Sequence, residues 1–288
     1  MYGNVGVSYI YSLINQNIDS LEIVLIDVNI EKLKGTILDL NHCISNLQFD
    51  TNIRIGDYTD CKNADIVCIT AGPSQSNIKD SRMDDLYKAN DIFHSIIPNV
   101  AKAGFDGIYL IASNPLDVMS YVTWKYSNCN PYKVIGSGTL LDTARLKFVL
   151  SQKINIPISE INGYVLGEHG NSQFVQWSSV NFDNFSIEEK LEIENEVKNV
   201  GFYVAKLQGF TCYGIGNCLT RITKAILQDE KCILPVCSYD DKSGIYISTP
   251  SKIGKNGIEE NRIMSLSDDE LVRFNDSIRV IHTAIGKL

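Results

Sequence analysis

Glu22-Ile-Val-Leu-Ile-Asp27 is the first of four short apolar runs in the first half of the chain. The other three runs occupy residues 64–70, 107–112 and 133–135. Amphipathic stretches with helical periodicity separate them, over residues 31–43, 82–103 and 115–127. This alternation predicts βαβ units, which form a parallel sheet with helices on both faces. Pro98 predicts a kink or break in the second helix.

The second half of the chain has a different pattern. Two Ser-x-x-Glu sequences, beginning at Ser186 and Ser267, are capping-box patterns that predict the first turns of long helices. Residues 232–248 hold two apolar runs around a polar turn and predict a hairpin. We therefore expect a doubly wound dinucleotide-binding domain over residues 1–137 and an α+β catalytic domain over residues 138–288.

Composition excludes several classes of protein. The 288 residues are 44% hydrophobic and 21% charged, which is typical of an ordinary globular protein with about two domains. Because 34 acidic residues outnumber 26 basic ones, we expect no nucleic-acid partner. No apolar run approaches the roughly 18 residues of a membrane span, so we expect no membrane partner.

The N-terminal residues and the cysteines indicate a compartment. The first basic residue is Lys32, so no secretory signal is recognised, and we expect a cytoplasmic protein. The eight cysteines form no Cys-x-x-Cys pair, which favours buried free thiols over a disulfide framework. No pattern of metal ligands is found, and we expect no metal.

A partial dinucleotide fingerprint opens the chain. Gly3 and Gly6 precede a helical stretch, and Asp27 ends the next strand, 21 residues after Gly6. In such fingerprints the glycines let the backbone approach a pyrophosphate at a helix N-terminus, and an acid about 20 residues on binds the ribose hydroxyls. Asp27 favours NAD over NADP. The alternative is that the two glycines form only a flexible turn.

The first strand of the fingerprint is missing from the sequence. Met1 occupies the place of the first glycine, and no strand precedes it. That strand is central in the 3-2-1-4-5-6 order, so we expect the strands on either side to have unpaired backbone groups. Our hypothesis is that the start is displaced, or the chain shortened, by about one strand.

Two polar segments of the second half carry candidate chemistry. In Leu166-Gly-Glu-His169-Gly-Asn-Ser172, glycines flank a lone histidine, which suits close approach to a ligand; the alternative is a structural histidine. Asp142 and Arg145 are three residues apart, so a helix places on one face a carboxylate that can hold an imidazole and a guanidinium suited to binding a carboxylate. The alternative is that Thr139-x-x-Asp142 is a capping box and Arg145 a solvated charge.

Two further candidates belong to the first half. Asn114 follows an apolar strand, at the carboxyl edge where open α/β sheets bind ligands, although Asn-Pro is also ordinary turn punctuation. Arg82 ends the polar segment 72–81, which predicts a mobile loop, and the alternative for Arg82 is a solvated charge.

Together these motifs resemble the L-lactate/malate dehydrogenase family, and specifically its L-lactate and L-2-hydroxyisocaproate branch. The segments 136–145, 166–172 and 209–214 occur in the order and approximate spacing of that family. The resemblance implies a Rossmann domain, NAD as cofactor, a small 2-oxo or 2-hydroxy acid as substrate, and a homotetramer or homodimer.

The resemblance also implies roles for individual residues. His169 would be the proton donor and acceptor, Asp142 its orienting partner, Arg145 the anchor of the substrate carboxylate, and Arg82 the group that polarises the carbonyl. Asn114 and Thr211 would border the substrate. Five residues would border the cofactor: Thr70, Ala71, Gly72, Asn114 and Ile215.

The loop over residues 71–82, which borders the substrate in this family, favours a monocarboxylic substrate. Malate enzymes of this family place a basic residue early in the loop, whereas residues 73–78 contain none and only Lys79 follows. Burying an unpaired second carboxylate would be costly. Gln75 or Ser76 would face the substrate side chain. The sequence does not decide between pyruvate and branched 2-oxo acids as the substrate. Two alternatives remain: a malate dehydrogenase that uses Lys79, and a catalytically silent NAD-binding homologue.

Overall fold

The structure is a computed structural model that describes residues 3–16, 18, 21–45, 50–73, 82–182, 184–261 and 264–288. Its first half contains α1 (Asn4–Ile14), β1 (Leu21–Leu25), α2 (Ile30–Ile44), β2 (Thr51–Ile55), β3 (Ile66–Ile69), α3 (Arg82–Lys102), β4 (Ile108–Ile111), α4 (Leu116–Ser127) and β5 (Val134–Gly136). The second half contains α5 (Leu140–Ile154), β6 (Tyr164–Leu166), β7 (Phe174–Gln176), α6 (Ile187–Gln208), α7 (Tyr213–Leu227), β8 (Cys232–Asp240), β9 (Ile245–Gly254), β10 (Gly257–Asn261) and α8 (Asp268–Ile285). Short 3₁₀ helices span Tyr58–Asn63, Pro131–Lys133, Ile158–Glu160 and Trp177–Ser179.

The parallel sheet of the first half forms as the alternating pattern predicts. Strands β3, β4 and β5 pair in parallel. All four residues of β4 are buried, because Tyr109 and Ile111 pack in one core cluster with α3 and α4, and Ile108 and Leu110 pack in another with α1 and α7. Continuous apolar runs suit such a strand, since both of its faces are covered. Helix α3 is continuous through Pro98, so this proline does not break it, and a kink there stays a prediction.

The parallel strands of the first half lie in two separate sheets. In the described part of the chain β1 pairs only with β2, and β3 pairs with β4 but not with β1. Apolar packing spans the separation, because Ile23 of β1 and Ile66 and Cys68 of β3 contact one core cluster with Tyr9 and Leu13 of α1. Side-chain burial, rather than a hydrogen-bonded ladder, therefore joins these two sheets.

The predicted hairpin extends the sheet of the first half. Strands β8 and β9 pair antiparallel over nine residue pairs, and β8 pairs antiparallel with β5 at Gly136 and Cys237. The resulting sheet has the order β10-β9-β8-β5-β4-β3. Gly138 follows β5 with φ +58, and a Cβ there would collide with the backbone of Val236, so glycine allows this close approach.

The helices of the second half begin where the sequence predicts. Ser186 and Ser267 both accept from the backbone of the glutamate three residues on, and both capping boxes are complete. Helix α7 packs on α1, where the Tyr9 hydroxyl lies 2.6 Å from Thr223 Oγ1. Gly216 makes this contact close, because a Cβ there would lie 2.8 Å from the backbone carbon of Ser8.

The described helices and the cysteines bear on two of the sequence predictions. Among the helices in the described ranges, none has the length and apolar character of a membrane-spanning segment. All eight cysteines are free, as predicted, and four of them are buried: Cys61, Cys212, Cys218 and Cys237.

Candidate active site

Helix α5 is attached to strand β6, and this attachment sets the position of the site. The Thr139 hydroxyl donates to the Val165 carbonyl at 2.5 Å, and the Val165 N–H donates to Thr143 Oγ1 at 3.0 Å. Thr139 makes no side-chain cap, so the capping-box alternative for Thr139 and Asp142 is wrong. The reason is that its hydroxyl bonds to a strand carbonyl 26 residues away.

The Asp142 carboxylate bonds to both His169 and Arg145, the two residues predicted to act with it. Its side chain is only 2% exposed, and Oδ2 lies 2.8 Å from His169 Nδ1. Its Oδ1 accepts from the Arg145 guanidinium at 3.0 Å. Arg145 is 19% exposed and paired, so the alternative of a solvated charge is wrong. One buried carboxylate therefore holds the imidazole and the guanidinium together.

The electrostatics of this group favour an imidazolium. Burial raises the pKa of the Asp142 carboxyl, but His169 and Arg145 more than offset this effect and bring that pKa below its ordinary value. Burial lowers the pKa of His169, but the charge and hydrogen bond of Asp142 outweigh it, so that pKa is raised. Because Nδ1 faces the carboxylate, Nε2 on the opposite edge of the ring is the atom that can exchange a proton with a ligand.

The loop that carries His169 is held at several points. Gly167 and Ser248 exchange two backbone hydrogen bonds of 3.1 Å, and Ser277 Oγ of α8 donates to the Ser172 carbonyl at 2.8 Å. Gly167 has φ +93, and a Cβ there would collide with Ser277. Lys198 of α6 donates to the Asn171 carbonyl at 2.7 Å. Close packing therefore requires glycine at position 167, two residues before His169.

Sequence reasoning missed Asp117, in the first turn of α4. Its side chain is 2% exposed, and Oδ2 accepts from the backbone N–H of His169 at 2.9 Å. Its Oδ1 accepts from the Cys237 thiol at 3.2 Å, and burial raises the pKa of Asp117 to about 6. The available signal was an acid in the otherwise apolar first turn 116–119, which follows Asn114-Pro115.

The remaining predicted substrate residues differ in how far the structure describes them. Asn114 is exposed three residues after the end of β4, and Thr211 is exposed between α6 and α7. Arg82 begins α3, but its side chain lies outside the described residues. The predicted loop residues Gln75, Ser76 and Lys79 also lie outside them.

The predicted cofactor residues lie at strand ends and helix starts. Gly3 is the N-cap of α1, with no side-chain cap and open space where a Cβ would be, and Gly6 is buried within α1. Asp27 follows β1, and its Oδ1 accepts from the Asn29 N–H at 2.8 Å. Further residues follow β3 or begin α7: Thr70, Ala71 and Gly72 after β3, and the half-buried Ile215 in α7.

These residues fit a dinucleotide. An uncapped helix N-terminus offers free N–H groups to a pyrophosphate, and the absent side chain of Gly3 lets that group approach. The half-buried Asp27 carboxylate lies after β1, the strand that follows α1, where it can accept from ribose hydroxyls.

The sequence matches two family models over nearly all of its length. Residues 1–136 match the lactate/malate dehydrogenase NAD-binding domain, and residues 139–288 match the lactate/malate dehydrogenase alpha/beta C-terminal domain. The chain belongs to the lactate/malate dehydrogenase family. Family membership confirms the predicted class of NAD-dependent dehydrogenase, the cofactor NAD and the mixed α/β fold.

Relatives of this lactate/malate dehydrogenase family member carry more specific names. The L-lactate dehydrogenase of Halalkalibacterium halodurans is 40% identical over 292 residues, covering 97% of this chain and 93% of the relative. The L-lactate dehydrogenase of Borrelia turicatae is 39% identical, and the match covers 99% of this chain and 96% of the relative.

Two solved structures superpose on nearly the whole chain. One is a lactate dehydrogenase from a Medee basin deep-sea metagenome library, with a TM-score of 0.94 at 36% identity, covering 99% of this chain and 96% of that one. The other is the minor L-lactate dehydrogenase of Enterococcus mundtii, with a TM-score of 0.95 at 32% identity, covering 100% and 96%. Similarity at this level extends through both halves of the molecule.

Proposed function

We propose that this protein is an L-2-hydroxyacid dehydrogenase that interconverts a 2-oxo monocarboxylate and its L-2-hydroxy acid. The observation that carries the proposal is the buried Asp142 carboxylate, which holds His169 and Arg145 side by side. A proton donor next to a carboxylate-binding guanidinium suits a substrate whose carboxylate and reacting oxygen are on adjacent carbons. The names of the relatives favour pyruvate and L-lactate, and 2-oxoisocaproate is the second candidate pair.

His169 performs the proton transfer in this mechanism. NADH, when bound, supplies the hydride that the 2-oxo carbon accepts. The imidazolium donates its Nε2 proton to the developing alkoxide, and in the reverse direction neutral Nε2 takes the proton from the hydroxyl. Asp142 holds the ring through Nδ1 and stabilises its positive charge in both directions.

Arg145 and the other pocket residues orient the substrate. The Arg145 side chain has five N–H donors, and its bond to Asp142 leaves further donors for the substrate carboxylate. By resemblance to the family, Arg82 polarises the substrate carbonyl, Asn114 and Thr211 line the pocket, and Ile215 packs against the nicotinamide. Gly3, Gly6, Asp27, Thr70, Ala71 and Gly72 are proposed to border the rest of the cofactor.

The preference for a monocarboxylate rests on the sequence of the loop. Residues 73–78 contain no basic side chain that could pair with a second carboxylate. Malate dehydrogenase activity is the second candidate function, and it requires Lys79 to bind that group.

We also propose that residues 1–137 and 138–288 are the two domains of the protein. That the protein is cytoplasmic, and that it forms a homotetramer or a homodimer, are predictions.

The deciding experiment follows NADH oxidation by the 288-residue chain with pyruvate, 2-oxoisocaproate and oxaloacetate in parallel. We expect pyruvate or 2-oxoisocaproate to be reduced faster than oxaloacetate. Faster turnover of oxaloacetate would select the malate alternative. No turnover of any of the three would favour the silent NAD-binding homologue.

The matched variants are His169→Asn and His282→Asn. His169→Asn removes the proton donor, and we expect it to abolish turnover while circular dichroism and thermal unfolding show an intact fold. His282, exposed near the end of α8, is the control, and its substitution should leave the rate unchanged. Substantial turnover by His169→Asn would contradict the assignment of His169.

A further inference from the structure

The carboxylate of Asp117 connects three elements that are far apart in the sequence. Asp117 lies on α4, His169 on the loop after β6, and Cys237 on β8. The carboxylate accepts from the His169 N–H at 2.9 Å and from the Cys237 thiol at 3.2 Å. Both partners donate to it, so the hydrogen-bonding pattern suits an ionised carboxylate.

The energetic cost of this buried charge calls for a compensating group. In the described ranges neither lysine nor arginine forms an ion pair with Asp117. A buried carboxylate without a basic partner is costly, and a charge is stabilised inside a protein only when it is paired or hydrogen-bonded. The positive group whose field favours the ionised Asp117 is the imidazolium of His169.

We propose that Asp117 is a positioning residue for proton exchange at His169, where it fixes the main chain of that residue and supplies a second negative charge beside the imidazolium. This inference rests on the proposed function. Asp142 orients the ring through Nδ1, whereas Asp117 holds the backbone from which the ring extends. Burial lowers the pKa of His169, and Asp142 first and Asp117 second raise it.

The other charged and titratable groups around this pair allow that role. Glu168, on the same loop, raises the pKa of Asp117, and the Cys237 thiol is neutral because burial raises its pKa well above the ordinary value. Asp142 and Arg145 of α5 face the imidazole with opposite charges. With its own pKa about 6, Asp117 is mainly ionised at neutral pH, and Cys237 keeps the proton that it donates.

The test is Asp117→Asn, which keeps the shape of the side chain but removes its charge. The first readout is the pKa of the His169 imidazole, measured by NMR titration and assigned with His169→Asn. We expect a lower pKa than in the unsubstituted protein. The second readout is the pH profile of 2-oxo acid reduction, whose alkaline limb should move to lower pH. We expect kcat to fall by about tenfold to a hundredfold, the range that misplacing a catalytic group produces, and KM to change less.

Two controls separate this role from a structural one. Thr123 is buried on α4 and donates only to Met119 of its own helix, so Thr123→Val measures the cost of losing a buried polar contact there. Cys237→Ala removes the donor to Asp117 and should also lower the His169 pKa, but by less than Asp117→Asn does. Cys237→Ser keeps a donor and should return the His169 pKa to the value of the unsubstituted protein. The cysteine pair tests the proposal even if Asp117→Asn does not fold.

The outcomes distinguish this inference from the proposed function. A His169 pKa and an alkaline limb that move in Asp117→Asn but not in Thr123→Val support the inference. An unchanged His169 pKa, or equal effects in the two variants, overturns it. If the unsubstituted protein reduces no 2-oxo acid but its His169 pKa still falls in Asp117→Asn, the proposed function fails while the electrostatic link between Asp117 and His169 holds.

Discussion

Replacing Asp142 by asparagine tests the centre of the site. The substitution keeps the size of a side chain that is 2% exposed, but it removes the charge that faces His169 Nδ1 at 2.8 Å and Arg145 at 3.0 Å. A hydrogen bond to a charged group contributes about 1.5–3 kcal/mol. Since about 1.4 kcal/mol is a factor of ten, the imidazolium population falls by roughly 10- to 150-fold at a pH above the pKa of His169.

The sign of the pH dependence follows from the raised pKa of His169. Reduction of a 2-oxo acid needs the imidazolium, so the rate is full below this pKa and falls as the pH rises through it. Losing the Asp142 charge lowers the pKa, and the alkaline limb must therefore move to lower pH. The same linkage governs stability: the raised pKa stabilises the fold at acidic pH, and this contribution is lost as the pH rises through the folded-state value.

The assay is a pH profile of kcat/KM for pyruvate, with NADH saturating. We expect Asp142→Asn to lose about tenfold to 150-fold at pH values above the pKa of His169, from the hydrogen-bond energy above. Glu194→Gln is the matched control, because Glu194 is a 12% exposed carboxylate that pairs with Arg273 and accepts from Trp177 Nε1. It should lower stability and leave the limb in place. An alkaline limb that stays in place in Asp142→Asn would refute the reasoning.

Three further substitutions test the substrate anchor, the cofactor site and the packing of α1. Arg145→Lys loses the planar fork and should lower kcat/KM for pyruvate by about tenfold or more, measured in initial rates. Asp27→Ala should raise the KM for NADH by about tenfold or more, since it removes the acceptor for the ribose hydroxyls. Gly216→Ala places a Cβ 2.8 Å and 2.9 Å from backbone atoms of α1 and should cost about 1–3 kcal/mol in urea unfolding. Gly35→Ala, in open space on α2, is its control and should not destabilise the fold.

Features with local causes could be predicted from the sequence. The buried strand β4 is a continuous apolar run, and the boxes at Ser186 and Ser267 need only a partner three residues away. Asp142 and Arg145 are one helical turn apart, so their shared face follows from the spacing alone. In each case the residues that make the contact are neighbours in the chain or repeat with the period of the element.

One expectation that local rules favoured was decided by a distant partner. Thr139 has the spacing of a capping residue, but its hydroxyl bonds to Val165, on a strand that reaches it only through folding. Helix α3 is also continuous through Pro98, where local rules predict a kink or a break. A contact that outcompetes a local preference cannot be recognised from the few residues around it.

By itself the sequence determined the alternation of strands and helices and the starts of the long helices, and it singled out His169, Asp142 and Arg145 as candidates. Only the tertiary structure decided that β8 joins β5 and that Asp117 holds the backbone of His169. The physical reason is chain separation. The partners of Asp117 lie 52 and 120 residues away, and their contact with it depends on how α4, the histidine loop and β8 pack together.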